Sequence, residues 1–463
     1  MIKRFPPKRF PSGRIPDKPS GMTNVDLMIQ NGQILTMNSS RDIKVSESIV
    51  IHAGKIIDIG FTDLIKATYT AQTVIDAKDH IILPGLINTH THAPLVYMRG
   101  VIDDVNLETW LHKYIFPLEG KFVTPDFVKA STRLALSEML LSGTTTFNDS
   151  YFFTREIASV AKDFGMRCIL GEGVLGFPSP SHKSTDETLA YTEENLQQWK
   201  TEELITASIA PHSLYTCSAE VIHRSFSLAQ KYSALVHLHL AESKAEVHEI
   251  KTKYGRTPVG ILKEWGLLGP KLVAAHCAQL TDEDIDLLVE HQVGIAHNPE
   301  SNLKLGNGVA PISKLIRKGG KVGLGTDSAA SNNNLDLLSE VDFAAKLQKG
   351  IYPETGPLNS IEAVEMLTIN GAKVLGLDHK IGSIEIGKQA DLILIDTQKP
   401  HLTPLYNPYS HLVYSAMGSD VSDVIINGKV VVRNCQITGC DLEGIFSEAH
   451  EYQQKIKAFL DDK

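Results

Sequence analysis

PGLINTHTHAPL, residues 84–95, ends an apolar run with two histidines one residue apart. Side chains alternate along a strand, so His90 and His92 leave the same face together and both can reach one point in space. A chain with 18 histidines produces such a pair by chance often enough that the pair alone decides nothing. The runs that follow carry the decision. GLINTHTH, TTTFNDS, MRCILGEG, ITASIAPHS, ALVHLHLAES, KLVAAHCA, VGIAHNP and KVGLGTDS all read as short buried strands. Amphipathic stretches such as PDFVKASTRLALSEMLLSG and DEDIDLLVEH separate most of them. Eight strands alternating with helices over residues 85–375 fit an α/β fold, a parallel (β/α)₈ TIM barrel. An open doubly wound sheet usually carries a glycine-rich phosphate loop that opens a helix; GEGVLG, residues 171–176, has the G-x-G-x-x-G spacing but runs into the proline-bearing FPSPS rather than a helical stretch, and no Walker pattern occurs.

The two ends read differently. DLMIQNGQILTM places Asn31-Gly32 between two apolar runs, a hairpin cue. SIVIHAGKIIDIG repeats the form around Gly54, and DVIINGKVVV repeats it at Asn427-Gly428. ADLILID, residues 390–396, is one more strand. Neither set comfortably makes a sheet by itself, so residues 22–84 and 376–440 are expected to build one small β-sandwich around the inserted barrel. Residues 441–463, ending in EAHEYQQKIKAFLDDK, are expected to form a surface or interface helix. Residues 1–21 are basic and rich in proline without an apolar segment, which excludes a secretory signal. They read as a disordered extension, with Met22 the working start.

The chain is 42% hydrophobic and 21% charged over 463 residues, ordinary for a soluble globular protein. A net charge of −9 argues against nucleic acid as a partner. No apolar run approaches a membrane span. The five cysteines form no C-x-x-C pair, which argues against a zinc ribbon or disulfide framework and for a reducing cytoplasm.

Polar residues gather at the C-terminal strand ends, where barrel active sites lie. The first strand offers His90 and His92, the fourth His212, and the fifth His237 and His239 followed by Glu242. The sixth ends in His276, the seventh in His297 and the eighth in Asp327. Each histidine alone is more often a satisfied core residue than a ligand. Together they point to a divalent metal, because imidazole and carboxylate are what a borderline cation binds. His90, His92, His239 and Asp327 make an open set, with His239 taken as nearer the mouth than His237, which would line the barrel. The competing role for Asp327 is a helix cap in GTDSAAS, and for Glu242 a solvated charge leading into SKAEVHEIK.

With those residues in place the chain resembles the amidohydrolase superfamily, and within it the branch of 5'-methylthioadenosine/S-adenosylhomocysteine deaminases and triazine hydrolases. The resemblance spans about residues 24–440. It rests, in order, on PGLINTHTH, DDVNLETWLHKYIFPLEGKF, APHSLYTCS, HLHLAES, AAHCAQL, AHNPESNLKLGNG and GLGTDSAASNN. It implies that His90, His92, His239 and Asp327 hold the metal, that Glu242 carries the proton, and that His276 steers the attacking water. Glu119 would hold ribose hydroxyls, His212 would touch the substrate and Trp110 would flank the nucleoside. Asn302 and Asn298, in HNPESN, could add contacts, or serve only as turn residues around Pro299. The fourth strand lacks the lysine that bridges binuclear sites, which implies one ion per chain, Zn²⁺ first, with Fe²⁺ and Mn²⁺ as alternatives. Related enzymes imply a homo-oligomer acting on a small molecule. Some deaminases of this type meet a homocysteine carboxylate with arginines, and here GEGVLGFPSP carries Glu172 instead. The expected reaction is hydrolytic deamination of an adenine nucleoside thioether. The alternative is loss of an amino or chloro group from a triazine or oxopurine. A cytidine-deaminase site is excluded because it needs P-C-x-x-C.

Overall fold

The computed structural model describes residues 22–461 apart from residue 357; the expected extension over residues 1–21 lies outside the described residues. Eight parallel strands follow one another around a single sheet in chain order. They are β1 (Leu86–Thr91), β2 (Thr144–Tyr151), β3 (Arg167–Val174), β4 (Ile205–Pro211), β5 (Val236–Leu240), β6 (Leu272–His276), β7 (Gly294–His297) and β8 (Lys321–Leu324). All eight coincide with the runs read from the sequence. The ring closes where β8 returns to β1. Asp327 bridges Thr91 in parallel register, its N–H donates to the His90 carbonyl at 3.0 Å, and Thr89 Oγ1 donates to the Leu324 carbonyl at 2.8 Å. Gly325 permits this approach: a Cβ there would sit 2.5 Å from Asn298 Oδ1 and 2.8 Å from the His90 nitrogen.

Local sequence explains the helices between strands. The helix Pro125–Leu141 starts at Thr124, whose side chain accepts from the Phe127 N–H, with Pro125 in the first turn where no N–H is needed. It buries Phe127, Val128, Leu136, Met139 and Leu140 against the barrel. Gly143, at φ +90°, then turns the chain into β2. The helical stretch Leu107–Phe122 contains a π turn at Trp110–Ile115, where the Phe116 N–H reaches back to Leu111. Pro117 follows immediately, and the wider turn spares the clash its ring would otherwise make. Inside the barrel the character changes along the strands. Ile87, Ile169, Leu235, Val273, Ala275 and Ala296 pack together, and the histidines come beyond them.

The chain ends supply two further sheets. One holds Thr23–Gln30, Glu47–His52, Lys55–Phe61 and Tyr69–Asp76; the other holds Gln33–Leu35, Ile43–Val45, His80–Pro84, Leu392–Asp396, Val421–Ile426, Lys429–Arg433 and Gln436–Ile437. Leu27, Ile29, Ile49, Ile82, Leu394 and Ile425 meet between them. The turns at Gly54 and Gly428 join antiparallel neighbours as expected. The Asn31-Gly32 turn does not. Thr23–Gln30 and Gln33–Leu35 belong to different sheets, so the turn carries the chain across the sandwich. At the foot of the barrel Arg167 forms a buried fork with Asp391, at 2.8 and 3.2 Å, and Asp391 also accepts from the Asn427 N–H at 2.7 Å. The C-terminal helix Leu442–Asp461 lies on Pro125–Leu141, with Tyr452 edge-on to Phe127. No helix among the described residues is long and apolar enough to cross a membrane.

Candidate active site

The strand ends bring His90, His92, His239, His276 and Asp327 to one point. Asp327 Oδ1 lies 3.4 Å from His90 Nε2 and 3.3 Å from His92 Nε2. His92 Nε2 and His239 Nε2 are 3.1 Å apart with their rings stacked. Ligand atoms of His90, His239 and His276, and of His90, His92 and Asp327, all lie within 4.8 Å of one another. The backbone is bent to achieve this. Ala241, His276, Cys277 and Asp327 have φ of 50°, 71°, 49° and 58°, a region that non-glycine residues avoid and that recurs at functional sites.

Each ring is aimed by a partner on its other nitrogen. His90 Nδ1 pairs with His237 Nε2 at 2.7 Å, and His237 Nδ1 faces Asn148 Nδ2 at 3.2 Å. His92 Nδ1 donates to the Ser150 carbonyl at 2.5 Å and His239 Nδ1 to the His212 carbonyl at 2.8 Å. His276 Nδ1 donates to Asn302 Oδ1 at 2.9 Å. Asp327 Oδ2 accepts from Ser301 and Ser331 hydroxyls at 2.6 and 2.8 Å, while Ser328, not Asp327, caps the short helix that follows. His237 thus orients a neighbour rather than merely lining the barrel. These bonds leave His90 Nε2 and His276 Nε2 buried without partners.

Burial decides the protonation states. It drives His90 down to about 3 and lowers His92 and His239 as well, so all three imidazoles stay neutral with lone pairs available. Converging neutral imidazoles, a carboxylate and orphaned ring nitrogens are a donor set that fits one divalent cation.

Around this cluster lies a cavity lined by Leu95, Trp110, Phe116, Tyr151, Phe152 and Leu175, with His212, Glu119 and Glu242 among its polar residues. Glu242 is 3% exposed, not a solvated charge. Its Oε1 accepts from Asn307 Nδ2 at 3.2 Å and lies 3.8 Å from His276 Nε2. Burial, then the Asp327 charge, push its carboxyl up to about 8. Glu119 is 7% exposed; Tyr151 donates to it at 2.9 Å, and burial pushes it up to about 7. His212 Nδ1 meets Thr216 Oγ1 at 3.0 Å. Trp110 lines the cavity with its ring N–H unpartnered. Asn302 stands one layer back, reaching the cavity only through His276, and Asn298 likewise faces His276 at 3.4 Å. Sequence reading missed Tyr151, Asn307, Ser301 and Ser331; Ser301 and Ser331 sit in short helices and Asn307 in a loop, and all but the Ser331–Asp327 pairing join residues more than 20 positions apart.

A closed barrel with histidines and an aspartate at the strand mouths, facing a cavity that holds a protonatable carboxyl, is the arrangement that metal-assisted hydrolysis calls for. The chain belongs to the amidohydrolase family, whose model matches residues 81–431. It is 45% identical over 426 residues to the 5-methylthioadenosine/S-adenosylhomocysteine deaminase of Thermodesulfovibrio yellowstonii, covering 92% of this chain and 97% of that one. It is 39% identical over 421 residues to the 5'-deoxyadenosine deaminase of Methanothermobacter thermautotrophicus, covering 90% and 95%. The crystal structure of an adenosine deaminase from Xanthomonas campestris with bound zinc superposes with a TM-score of 0.93 at 34% identity, over 95% of this chain and all of that one. The chain is a hydrolase acting on C–N bonds, a deaminase.

Proposed function

We propose that this enzyme hydrolyses the 6-amino group of adenine nucleosides with an uncharged 5' substituent, 5'-methylthioadenosine first, giving the inosyl product and ammonia. The observation that carries the reading is a buried, proton-holding Glu242 beside the histidine–aspartate cluster, in a cavity that also presents the buried carboxylate Glu119. His90, His92, His239 and Asp327 would hold one divalent ion, Zn²⁺ before Fe²⁺ or Mn²⁺. Such an ion, when bound, lowers the pKa of a water toward about 7 and so supplies a nucleophile at neutral pH.

The side chains perform the rest. His276, fixed by Asn302, accepts a hydrogen bond from the water through its free Nε2. As oxygen adds to C6, Asp327 takes the water's proton and Glu242 gives its own to ring N1. The Asp327 proton then goes to the amino group, the C6–N bond breaks and ammonia leaves. Glu242 regains a proton from the C6 hydroxyl, leaving the 6-oxo group. Glu119 accepts from the two ribose hydroxyls, a task suited to a carboxylate with two oxygens. Trp110 and His212 flank the nucleoside.

The 5' group is read from what the wall lacks. No lysine or arginine is among the described lining residues. Glu172, at the end of β3, is turned away and saturated by Phe153 N–H, Thr154 N–H, Thr154 Oγ1 and Ser181 Oγ at 2.7–3.0 Å. On this wall a homocysteine carboxylate meets no lysine or arginine, Lys244 lining only the adjoining cavity past Leu107, Leu111 and Tyr215, whereas a methylthio or methyl group meets the apolar Phe116, Phe152 and Leu175. The test is ammonia release from methylthioadenosine, 5'-deoxyadenosine, S-adenosylhomocysteine, adenosine, guanine and a chlorotriazine. The first two should lead. Turnover of none of the adenine nucleosides would end the reading, and S-adenosylhomocysteine ahead of methylthioadenosine would overturn the 5' assignment.

A further inference from the structure

The turn that carries Glu242 is held from behind by a second buried glutamate. Glu246 is the third residue of the helix Lys244–Tyr254, whose N-cap is Ser243. At that position a glutamate ordinarily reaches back to the N-cap N–H, completing a capping box. Here only half of the box forms: Ser243 Oγ accepts from the Glu246 N–H at 3.1 Å. The Glu246 carboxylate instead reaches further, Oε1 accepting from the Ala241 N–H at 3.1 Å and Oε2 from the Glu242 N–H at 2.7 Å. Those two amides flank the Ala241 α-carbon, whose φ of 50° is left-handed, a conformation unfavourable for a residue with a Cβ. Glu246 is itself 2% exposed. A buried carboxyl group across both peptides therefore clamps a strained bend at the point where β5 has ended and Glu242 must enter the cavity. The only other fixed point of the Glu242 carboxyl among the described bonds is Asn307.

We propose that Glu246 is a positioning residue for the proton transfer: by gripping the Ala241 and Glu242 amides it sets the place of the Glu242 carboxyl beside His276. The inference rests on Glu242 acting as the proton carrier. A merely structural cap would lower stability whatever residue stood at 242; a positioning residue acts only while Glu242 is there to be placed.

The experiment is a double-substitution cycle on the metal-loaded full chain with methylthioadenosine. Glu246→Gln presents an amide N–H₂ to one of the two N–H groups and loses that hold. Its kcat should fall roughly 10–100-fold, the range expected of an ångström-scale misplacement. KM should stay within about twofold and metal content, by elemental analysis, at the wild-type level, because substrate and metal contacts lie elsewhere. In a Glu242→Gln background the same change should slow turnover by less than about threefold. Glu246→Asp, still a carboxyl but one methylene short, runs through the same cycle and keeps the test decisive if the glutamine variant does not fold. Unchanged kcat, loss of metal, or effects that multiply in the double variant would overturn the inference. A fully active Glu242→Gln enzyme would overturn the role of Glu242 instead, so the two failures are distinguishable.

Discussion

The ends of β3 and β5 each carry a buried glutamate, and the two live under opposite conditions. Glu172 accepts from two backbone amides and two hydroxyls and opens the helix Thr154–Phe164, where Phe153 is left-handed. Every lone-pair direction that matters is taken, and the group is part of the scaffold. Glu242 has one amide donor, Asn307, and shares its surroundings with the Asp327 charge. Burial leaves it holding its proton near neutrality, at about 8. A carboxylate saturated by donors stabilises a fold; one left short of them is able to give a proton away. Position at a barrel strand end does not distinguish the two. Their surroundings do: four donors and no cavity contact for Glu172, one donor, the Asp327 charge and an open cavity face for Glu242.

The largest effect that sharpens this contrast is expected of Glu242→Gln. Removing a general acid costs roughly 10²–10⁴ in rate, so kcat should fall about a thousandfold while bound metal, measured by elemental analysis, is unchanged. Near-normal turnover would erase the difference between the two glutamates. Next comes Glu119, which like Glu242 has one donor, Tyr151. Its carboxyl is raised from 4.5 to about 7 in the folded chain. Between those values the folded state keeps a proton that the unfolded state has released. Stability therefore falls as pH rises through that window and levels off above it, with a penalty of about 3 kcal/mol. Glu119→Gln, neutral throughout, should gain on the wild type in melting temperature from pH 5 to pH 8; parallel curves would contradict the burial argument.

Glu119→Ala should raise KM for nucleosides about 10–100-fold, the worth of one or two hydrogen bonds to a charged group, and leave the free base unaffected. Equal effects on both would remove the ribose contact. The smallest catalytic effect is expected of Glu172→Gln. It should lower unfolding free energy by about 2 kcal/mol through its unmatched amide, read as the denaturation midpoint, with kcat within about twofold. A collapse of kcat there would make Glu172 part of the site after all.

The barrel was legible because short apolar runs alternated with amphipathic helices and because polar residues recurred just past each run. That pattern gathers His90, His92, His239, His276 and Asp327 together with His212, His237 and His297, since strand direction fixes which end a residue occupies. Partners across the ring were not legible. The same two-residue spacing that aims His237 inward cannot say that its ring stops 2.7 Å from His90. Glu246 did not stand out within SKAEVHEIK, because its reach back to Ala241 depends on how the strand end bends. The Asn31-Gly32 turn was misread for a related reason. Local turn chemistry fixes the bend of the chain, but the sheet that the next strand joins is chosen by distant pairing, here with His80–Pro84.

The most direct measurement is a metal titration of activity. Protein stripped by a chelator is given back Zn²⁺ in steps while ammonia release from methylthioadenosine is followed. Release should be absent in the stripped chain, rise in proportion to added ion and level off at one equivalent per chain. Activity that survives stripping, or that keeps rising to two equivalents, would contradict a single ion held by His90, His92, His239 and Asp327.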